Sequence, residues 1–447
     1  MLSQILAVII FLTMFLFIIF GKCERHIPAL IGALVVLLFL FGVVMRDGDA
    51  IADTLALHSF LDMGFWYSHG AEETSMGINW ATIVFIAGMM IMVEGMGDSG
   101  FFRWLCLKLA GLVNYKVLPL FVTFVLLSAV LSMFIDSITV ILFIAAVSIE
   151  LARLLKFDPV PVVIAEIFCA NVGGSATMCG DPPNIIIGTS LGLTFGDFIA
   201  NTGVIALCIL VVVIPMFVLM FRKKLVTAGD VDTSALPRPG EAIESPFAFG
   251  SSCVIFLLCV VLLITHAATG LTVATIGVIA TVLTLVTAPK KAYTIITRAD
   301  WNTIWFFIGL FVVVGGLEHT GVLTMMAGFI ETISGGQPAA VICIILWVSA
   351  IVSALVDNIP FAATMVPVIK SLSLMPGMDL ELLAWTLSMG TDIGGNATPI
   401  GASANVVGTS IAAREGYPIS WGRYCKYAIP ATIVALVIST VCLLCFY

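Results

Sequence analysis

Charged side chains are scarce in this sequence. Only 10% of its 447 residues are Asp, Glu, Lys or Arg, whereas 61% are hydrophobic. Soluble globular proteins carry about 25% charged residues, so this small number of charges cannot cover a water-exposed surface. The composition predicts a protein whose surface mostly faces lipid. The net charge of −8 comes with no basic patch of the kind that binds nucleic acid, and no nucleic-acid partner is predicted.

Other signals are also missing. No GxxxxGK[ST] run occurs, which argues against a primary pump within this chain. The 11 cysteines lie mostly in apolar runs, which favours small buried side chains over a metal site or a disulfide framework. The apolar N-terminus has neither a basic n-region nor a small-residue cleavage pattern, so it is interpreted as a retained first span.

An internal repeat is the most informative feature present. At a fixed offset of 221 residues, Trp80 corresponds to Trp301 and Asp136 to Asp357. The run NVGGSATMCGDPPN (171–184) corresponds in the same way to DIGGNATPIGASAN (392–405). A collinear set of matches without a gap predicts two copies of one structural unit.

Hydropathy predicts the membrane spans, since a span needs about 20 apolar residues. Ordinary spans are predicted at 1–20, 26–45, 79–97, 203–221, 249–267, 272–288, 301–318 and 427–446. Four apolar segments are interrupted by polar residues, at 117–153, 160–199, 337–372 and 381–412.

The distribution of Lys and Arg predicts how these four segments cross. If 117–153 and 337–372 are re-entrant hairpins and the other two are broken helices that cross once, each half crosses five times. Every Lys and Arg except Arg46 and Lys370 then lies on one side, as the positive-inside rule expects for the cytoplasm.

The predicted fold is therefore an all-α polytopic membrane protein of two inverted five-span repeats, 1–221 and 249–447. A cytoplasmic linker, 222–248, joins them. Both termini are predicted outside the plasma (inner) membrane, as is the acidic 46–78 loop with Glu72 and Glu73.

Glycine and proline break the two helices at membrane depth. Such backbone is tolerated only where protein or a water-filled cavity satisfies it, and paired broken helices indicate a transporter site. The predicted substrate- and ion-binding residues of the first half are Asp136, Ser137, Thr139, Asn171, Gly173, Gly174, Ser175, Thr177, Asp181 and Asn184. Those of the second half are Asp357, Asn358, Asp392, Gly394, Gly395, Asn396, Thr398, Ser403 and Asn405.

The intramembrane acids are the main candidates for coupling, because acids within a bilayer are costly and usually functional. Asp136 and Asp357 at the hairpin tips are predicted to bind or relay a proton or sodium, with Asp181 and Asp392 as second candidates for protons. Helix capping by the tip acids is the alternative, and the two roles can coexist. Glu166 is interpreted as a solvated residue near a span end.

These motifs resemble the ion transporter superfamily, and within it the group of arsenite permeases, NhaD-type antiporters and melanosomal P proteins. The resemblance is carried by SMFIDSIT, the GDPPN turn and SALVDNIPFAATMVP. It implies a scaffold, a moving transport domain made of the hairpins and broken helices, and elevator-like motion. It also permits a homodimer and an external ATPase subunit. The Ser-Asn-Thr pattern of the superfamily's dicarboxylate branch is absent, which argues against a sodium-dicarboxylate symporter.

Several functions remain open at this point. The favoured one is secondary active export of a small inorganic solute, either arsenite or antimonite or an inorganic anion, coupled to protons or sodium and without a cofactor. A sodium/proton antiporter and an anion channel on a transporter fold are the alternatives. No Lys or Arg is expected near the breaks or tips, so a strongly bound organic dianion has no evident partner. An intramembrane aspartyl protease would leave the glycine-rich breaks without a role, so the chain is not expected to be an enzyme.

Overall fold

The computed structural model describes residues 1–20, 23–68, 77–226 and 237–445. Within these ranges, nine helices are long and apolar enough to cross a membrane, and the chain is a multi-pass membrane protein. Lys22, Glu72, Glu73 and residues 227–236 of the predicted linker lie outside the described residues.

The first half contains twelve α-helices in its described part. In chain order they are α1 (Leu2–Phe20), α2 (His26–Leu34, continued as a π-helix over Val35–Met45), α3 (Gly48–Leu55), α4 (Met63–Trp66), α5 (Trp80–Asp98), α6 (Phe101–Leu112), α7 (Val117–Ser132), α8 (Ser137–Leu154), α9 (Val160–Gly174), α10 (Pro182–Leu191), α11 (Phe195–Phe198) and α12 (Val204–Phe221).

The second half contains ten α-helices in its described part. They are α13 (Pro246–Thr269), α14 (Val273–Thr287), α15 (Ala292–Arg298), α16 (Trp301–His319), α17 (Val322–Ser334), α18 (Pro338–Leu355), α19 (Asn358–Ser373), α20 (Leu380–Gly395), α21 (Ser403–Arg414) and α22 (Trp421–Cys445).

The end of the first broken helix differs clearly from the sequence prediction. The first broken helix was expected to run to residue 199, but α10 ends at Leu191 because Gly192 adopts a left-handed conformation, with φ of 70°. The side chains of Thr194 and Asp197 then form a capping box that starts the next helix. That helix continues from Phe195 through a π-helical stretch to Phe221.

Two helix crossings relate the halves of the molecule. A Cβ atom on Gly88 of α5 would lie 2.2 Å from the backbone oxygen of Gly277 in α14. At the position 221 residues later, a Cβ on Gly309 of α16 would lie 2.6 Å from the backbone carbon of Ala29 in α2. The α5–α14 and α16–α2 crossings are therefore counterparts, and Ala29 corresponds to Gly277.

The remaining polar-interrupted helices form two similar units. We call α7–α10 the first module and α18–α21 the second module. In the first, α7 packs against α9 so closely that a Cβ on Gly173 would lie 2.0 Å from the backbone oxygen of Ala129. In the second, α18 packs against α20, and a Cβ on Gly394 would lie 2.2 Å from the Ala350 Cα. Only glycine fits at these two positions.

Candidate functional site

Each module has a short turn between its first two helices, and an aspartate begins the second helix of each pair. Asp136 Oδ2 accepts hydrogen bonds from the backbone N–H and the hydroxyl of Thr139, both at 3.3 Å. Asp357 Oδ1 accepts from the backbone N–H of Ile359 at 3.2 Å. Both carboxylates thus cap a helix, which was the predicted alternative to ion binding. Capping leaves one oxygen of each carboxylate for other contacts.

The breaks between α9 and α10 and between α20 and α21 are held by equivalent amides. Asn184 Nδ2 donates to the backbone oxygens of Gly174 and Thr177, at 3.2 and 3.1 Å. Asn405 Nδ2 donates to the backbone oxygens of Gly395 and Thr398, both at 2.8 Å. Each asparagine therefore joins the two sides of its own break across the interrupted helix.

Hydroxyl groups tie the breaks to the hairpins. Thr177 Oγ1 donates to the backbone oxygen of Met133, and Thr398 Oγ1 donates to that of Ala354 at 2.5 Å. Ser175 Oγ donates to the Val172 backbone oxygen at 2.8 Å. These three hydroxyls were predicted to contact the solute, but in this structure their protons go to the backbone of their own module.

The glycines of the breaks have a packing role as well. A Cβ on Gly174 would lie 3.1 Å from the Gly180 backbone oxygen, and one on Gly395 would lie 2.8 Å from the backbone oxygen of Gly401. Together with Gly173 and Gly394, they bring the helix ends and the adjoining hairpin close together.

Two acids from different modules meet at the centre of the site. Asp181 Oδ1 accepts a hydrogen bond from the Ser137 hydroxyl at 2.8 Å, and its Oδ2 accepts from Asn358 Nδ2 at 2.9 Å. The same Asn358 nitrogen lies 3.3 Å from Asp392 Oδ1. Both acids are buried, with 4% and 0% of their surface exposed. One amide group thus bridges the carboxyl groups of the two modules.

The described part of the chain places no cation in an ion pair with these two acids. Among the described residues, no ion pair includes Asp181 or Asp392, and Asp392 Oδ2 has no hydrogen-bond partner there. If both of these buried carboxyl groups were ionised, they would repel each other without the shielding that hydration gives.

Three asparagines form a second polar cluster. Asn171 Nδ2 donates to Asn396 Oδ1 at 2.9 Å and to Asn405 Oδ1 at 2.8 Å. Asn171 is the repeat counterpart of Asp392. In the described part of the chain, Asn171 Oδ1 and Asn396 Nδ2 are buried without a partner, which leaves one acceptor and one donor for another molecule.

Arg25 corrects one conclusion from the sequence. Its Nη1 lies 2.9 Å from Asp357 Oδ2 and donates to the Ser403 hydroxyl at 2.8 Å. The expectation that no Lys or Arg lies near the tips was therefore wrong. Arg25 lies 332 residues before Asp357 in the chain. The sequence around Arg25 shows only a cation between two predicted spans.

Two further residues were missed or misjudged. Ser388 donates to Asn184 Oδ1 at 2.6 Å, and its position one turn before Asp392 on α20 is the signal that could have identified it. Glu166 was interpreted as solvated, but it is fully buried and accepts a hydrogen bond from Ser148. Its place in the middle of α9, rather than near an end, explains the burial.

The described residues contain no cluster of metal-binding side chains that would support the predicted sodium site near the tips. No group of three His, Cys, Asp or Glu side chains within the described ranges is arranged to hold a metal ion. Asp136 Oδ1 is buried and lacks a partner in those ranges, whereas Asp357 is paired with Arg25. Sodium binding at the tips stays a prediction.

Known proteins resemble this chain along most of its length. The family model described as "CitMHS: Citrate transporter" matches residues 15–390. A 46 kDa membrane protein of Mycobacterium leprae is 31% identical over 440 residues, which cover 98% of this chain and 97% of that protein. The P protein of Sus scrofa is 28% identical over 498 residues, covering 94% of this chain and 59% of the P protein.

A solved structure shares the fold. Neisseria gonorrhoeae MtrF, described with a class of antimetabolite efflux pumps, superimposes with a TM-score of 0.57. The match covers 99% of this chain and 94% of MtrF at 11% identity, so it concerns the fold alone.

Proposed function

Because the chain belongs to the CitMHS citrate transporter family, we propose that it is a secondary active transporter that couples a small solute to protons. The family is one of membrane transporters, so a transport role is not in question. The proposal concerns the coupling ion, the solute and the movement.

The buried Asp181–Asn358–Asp392 arrangement carries the proposal. A carboxyl pair that has no cation partner among the described residues is suited to bind one proton, since repulsion between two ionised groups favours protonation. One acid comes from each module, and a solute bound between the modules would alter their separation. Proton binding and solute binding would then be linked at one place.

The solute class we favour is arsenite or antimonite, or an inorganic anion. Arsenite is a neutral, hydroxyl-bearing molecule at pH 7 and needs donors and acceptors rather than a charge partner. The unpaired Asn171 Oδ1 and Asn396 Nδ2 supply one of each inside the site.

A carboxylate such as citrate is the second candidate. Arg25 supports it, because a guanidinium group binds carboxylates through paired N–H donors. Only Oδ2 of Asp357 contacts Arg25, whereas Oδ1 caps α19. A solute carboxylate could therefore compete with Asp357 for the guanidinium group. The family's description as citrate transporters is consistent with this candidate.

We further propose that the first and second modules move together as an elevator against the other helices. The membrane orientation belongs to the same proposal: a cytoplasmic 222–248 linker, outward-facing termini and insertion in the plasma membrane. The asymmetric distribution of Lys and Arg supports this orientation.

Proteoliposomes that contain a pH-sensitive dye test the function. We expect arsenite, phosphate or citrate, added in turn, to produce proton flux that Asp181→Asn abolishes. Asp379→Asn is the matched control, because Asp379 is an exposed cap at the start of α20.

The other functions give different results in the same vesicles. Proton flux on addition of sodium alone would instead identify a sodium/proton antiporter. A chloride current that persists without any coupling-ion gradient would identify a channel. Normal proton flux in the Asp181→Asn protein would refute the role of the acid pair.

A further inference from the structure

Arg25 lies at the boundary between the second module and the helices around it. Its backbone begins α2, its Nη2 donates to the Thr303 hydroxyl of α16 at 2.8 Å, and its guanidinium lies 5.2 Å from the centre of the Phe306 ring. Its other contacts, Asp357 and Ser403, begin α19 and α21 of the module. Arg25 thus joins α2 and α16 to the tip and the break of the second module.

The first module contacts its surrounding helices at a different position along its broken helix. Thr82 of α5, the repeat counterpart of Thr303, lies with its hydroxyl oxygen 2.7 Å from that of Thr189. Asn79 Nδ2 also donates to Thr189 Oγ1 at 2.9 Å. Thr189 is near the end of α10, whereas Ser403 is at the start of α21.

This difference shows that the modules are not centred between the two repeats. The counterpart of Ser403 is Pro182, seven positions before Thr189 in the sequence. At 1.5 Å per helical residue, the position that Thr82 contacts directly and the position that Arg25 joins to Thr303 are roughly 10 Å apart along the helix. If each repeat made the contacts that the other makes here, a second arrangement would result. In it, Thr303 would contact Ser410, the counterpart of Thr189.

The second arrangement would lack an equivalent of Arg25. Because Ala29 corresponds to Gly277 at the helix crossings, the counterpart of Arg25, four residues earlier, is Val273. Valine cannot pair with Asp136. Arg25 itself is only 26% exposed and Asp357 15%, so their pairing is shielded from bulk water.

We propose that Arg25 is a positioning residue that holds the two modules at one end of their travel by binding Asp357 and Ser403. Travel to the other end breaks these contacts, and nothing replaces them at Val273. The proposal rests on the proposed function for the existence of two ends of travel. It assigns Arg25 a role in the resting position that does not depend on a bound solute.

Cysteine pairs report each arrangement. In a Thr82→Cys, Thr189→Cys protein, the thiols take the places of hydroxyls 2.7 Å apart, so a cross-link identified by peptide mass spectrometry reports the present arrangement. A Thr303→Cys, Ser410→Cys protein reports the other. Each pair is oxidised in detergent without solute, once with Arg25 intact and once with the Arg25→Gln substitution added.

We expect Arg25→Gln to lower the 82–189 cross-link several-fold and to raise the 303–410 cross-link. Asp357→Asn should act in the same direction, and the reversed pair, Arg25→Asp with Asp357→Arg, should restore the 82–189 cross-link. Arg153→Gln is the control, since Arg153 pairs with exposed Glu415 beyond α21, and should change neither.

An unchanged 82–189 yield in Arg25→Gln would overturn the proposal. A fall in that yield without a rise at 303–410 would also overturn it, since Arg25 would then only support packing. If Arg25→Gln does not fold, Asp357→Asn breaks the same pair and decides the question. Cross-linking needs neither protons nor solute. Intact coupling in Asp181→Asn would therefore refute the proposed function while an Arg25-dependent shift still stood.

Discussion

The two modules have the same framework and different chemistry. The framework residues are identical between them: Asn184 and Asn405 join the breaks, and Thr177 and Thr398 tie the breaks to the hairpins. The positions at the centre differ, and the pairs of repeat counterparts are Ser137 and Asn358, Asn171 and Asp392, Ser175 and Asn396, Asp181 and Ala402, Pro182 and Ser403.

The unchanged and the changed positions make different kinds of contact within one chain. Positions that repeat without change carry the hydrogen bonds that any broken helix of this kind requires. Positions that differ place one acid from each module beside Asn358, and bring Asn171 and Asn396 together in a separate amide cluster with Asn405. A symmetric pair of breaks has thus become an asymmetric site with an acidic and an amide side.

The largest effect should come from filling the close helix contacts. Gly173→Ala and Gly394→Ala each place a Cβ within about 2 Å of a neighbouring backbone, so we expect both proteins to lose their folded, monodisperse state in size-exclusion chromatography. Gly111→Ala is the control, because nothing lies within 4 Å of its Cβ position. A folded variant in only one module would show that the modules are packed differently.

Exchanging the acid between modules should abolish coupling without unfolding. Asp392→Asn is expected to reduce proton flux to that of empty vesicles, because Asp181 then has no acidic partner. Adding Asn171→Asp should not restore the flux, since position 171 faces Asn396 and Asn405 rather than Asp181. Recovery of flux in the exchanged protein would mean that the two sides of the site are interchangeable.

Removing the amides that join the breaks should have an intermediate and equal effect. Asn184→Ala and Asn405→Ala each leave two buried backbone oxygens without their donor, which we expect to lower the free energy of unfolding by about 2–4 kcal/mol. Chemical denaturation in detergent measures this. Asn302→Ala, at an exposed contact with Glu24, should change it by less than about 0.5 kcal/mol. Markedly unequal losses at 184 and 405 would contradict a shared framework.

The smallest effect should follow from making the first module like the second at Glu166. Its counterpart is Leu387, and the counterpart of Ser148 is Ile369. Glu166→Leu removes a buried acid that has no cation partner among the described residues, so we expect the unfolding free energy to stay within about 1 kcal/mol or to rise. Loss of proton flux in this variant would show that Glu166 takes part in coupling, although it lies outside the tips and breaks.

Much of the fold was predictable from local chemistry. The prediction of an all-helical membrane protein resembling the ion transporter superfamily is confirmed by the helices and by the family relationship. The helix ends near the tips and breaks follow from Asp, Gly and Pro, whose backbone effects act within one turn. The end of α10 at Leu191 was missed, because Gly192 and the Thr194–Asp197 capping box lie inside an apolar run.

The candidate site was predictable as a set of residues and not as a set of contacts. The sequence by itself determined which segments are apolar and where their helices break, because hydropathy and backbone preferences are local properties. Only the tertiary structure decided that Asn358 bridges Asp181 and Asp392, and that Arg25 reaches Asp357. Asn358 and Asp181 are 177 residues apart in the sequence, and Arg25 and Asp357 are 332 residues apart. Their meeting depends on how whole helices pack, and no local pattern encodes it.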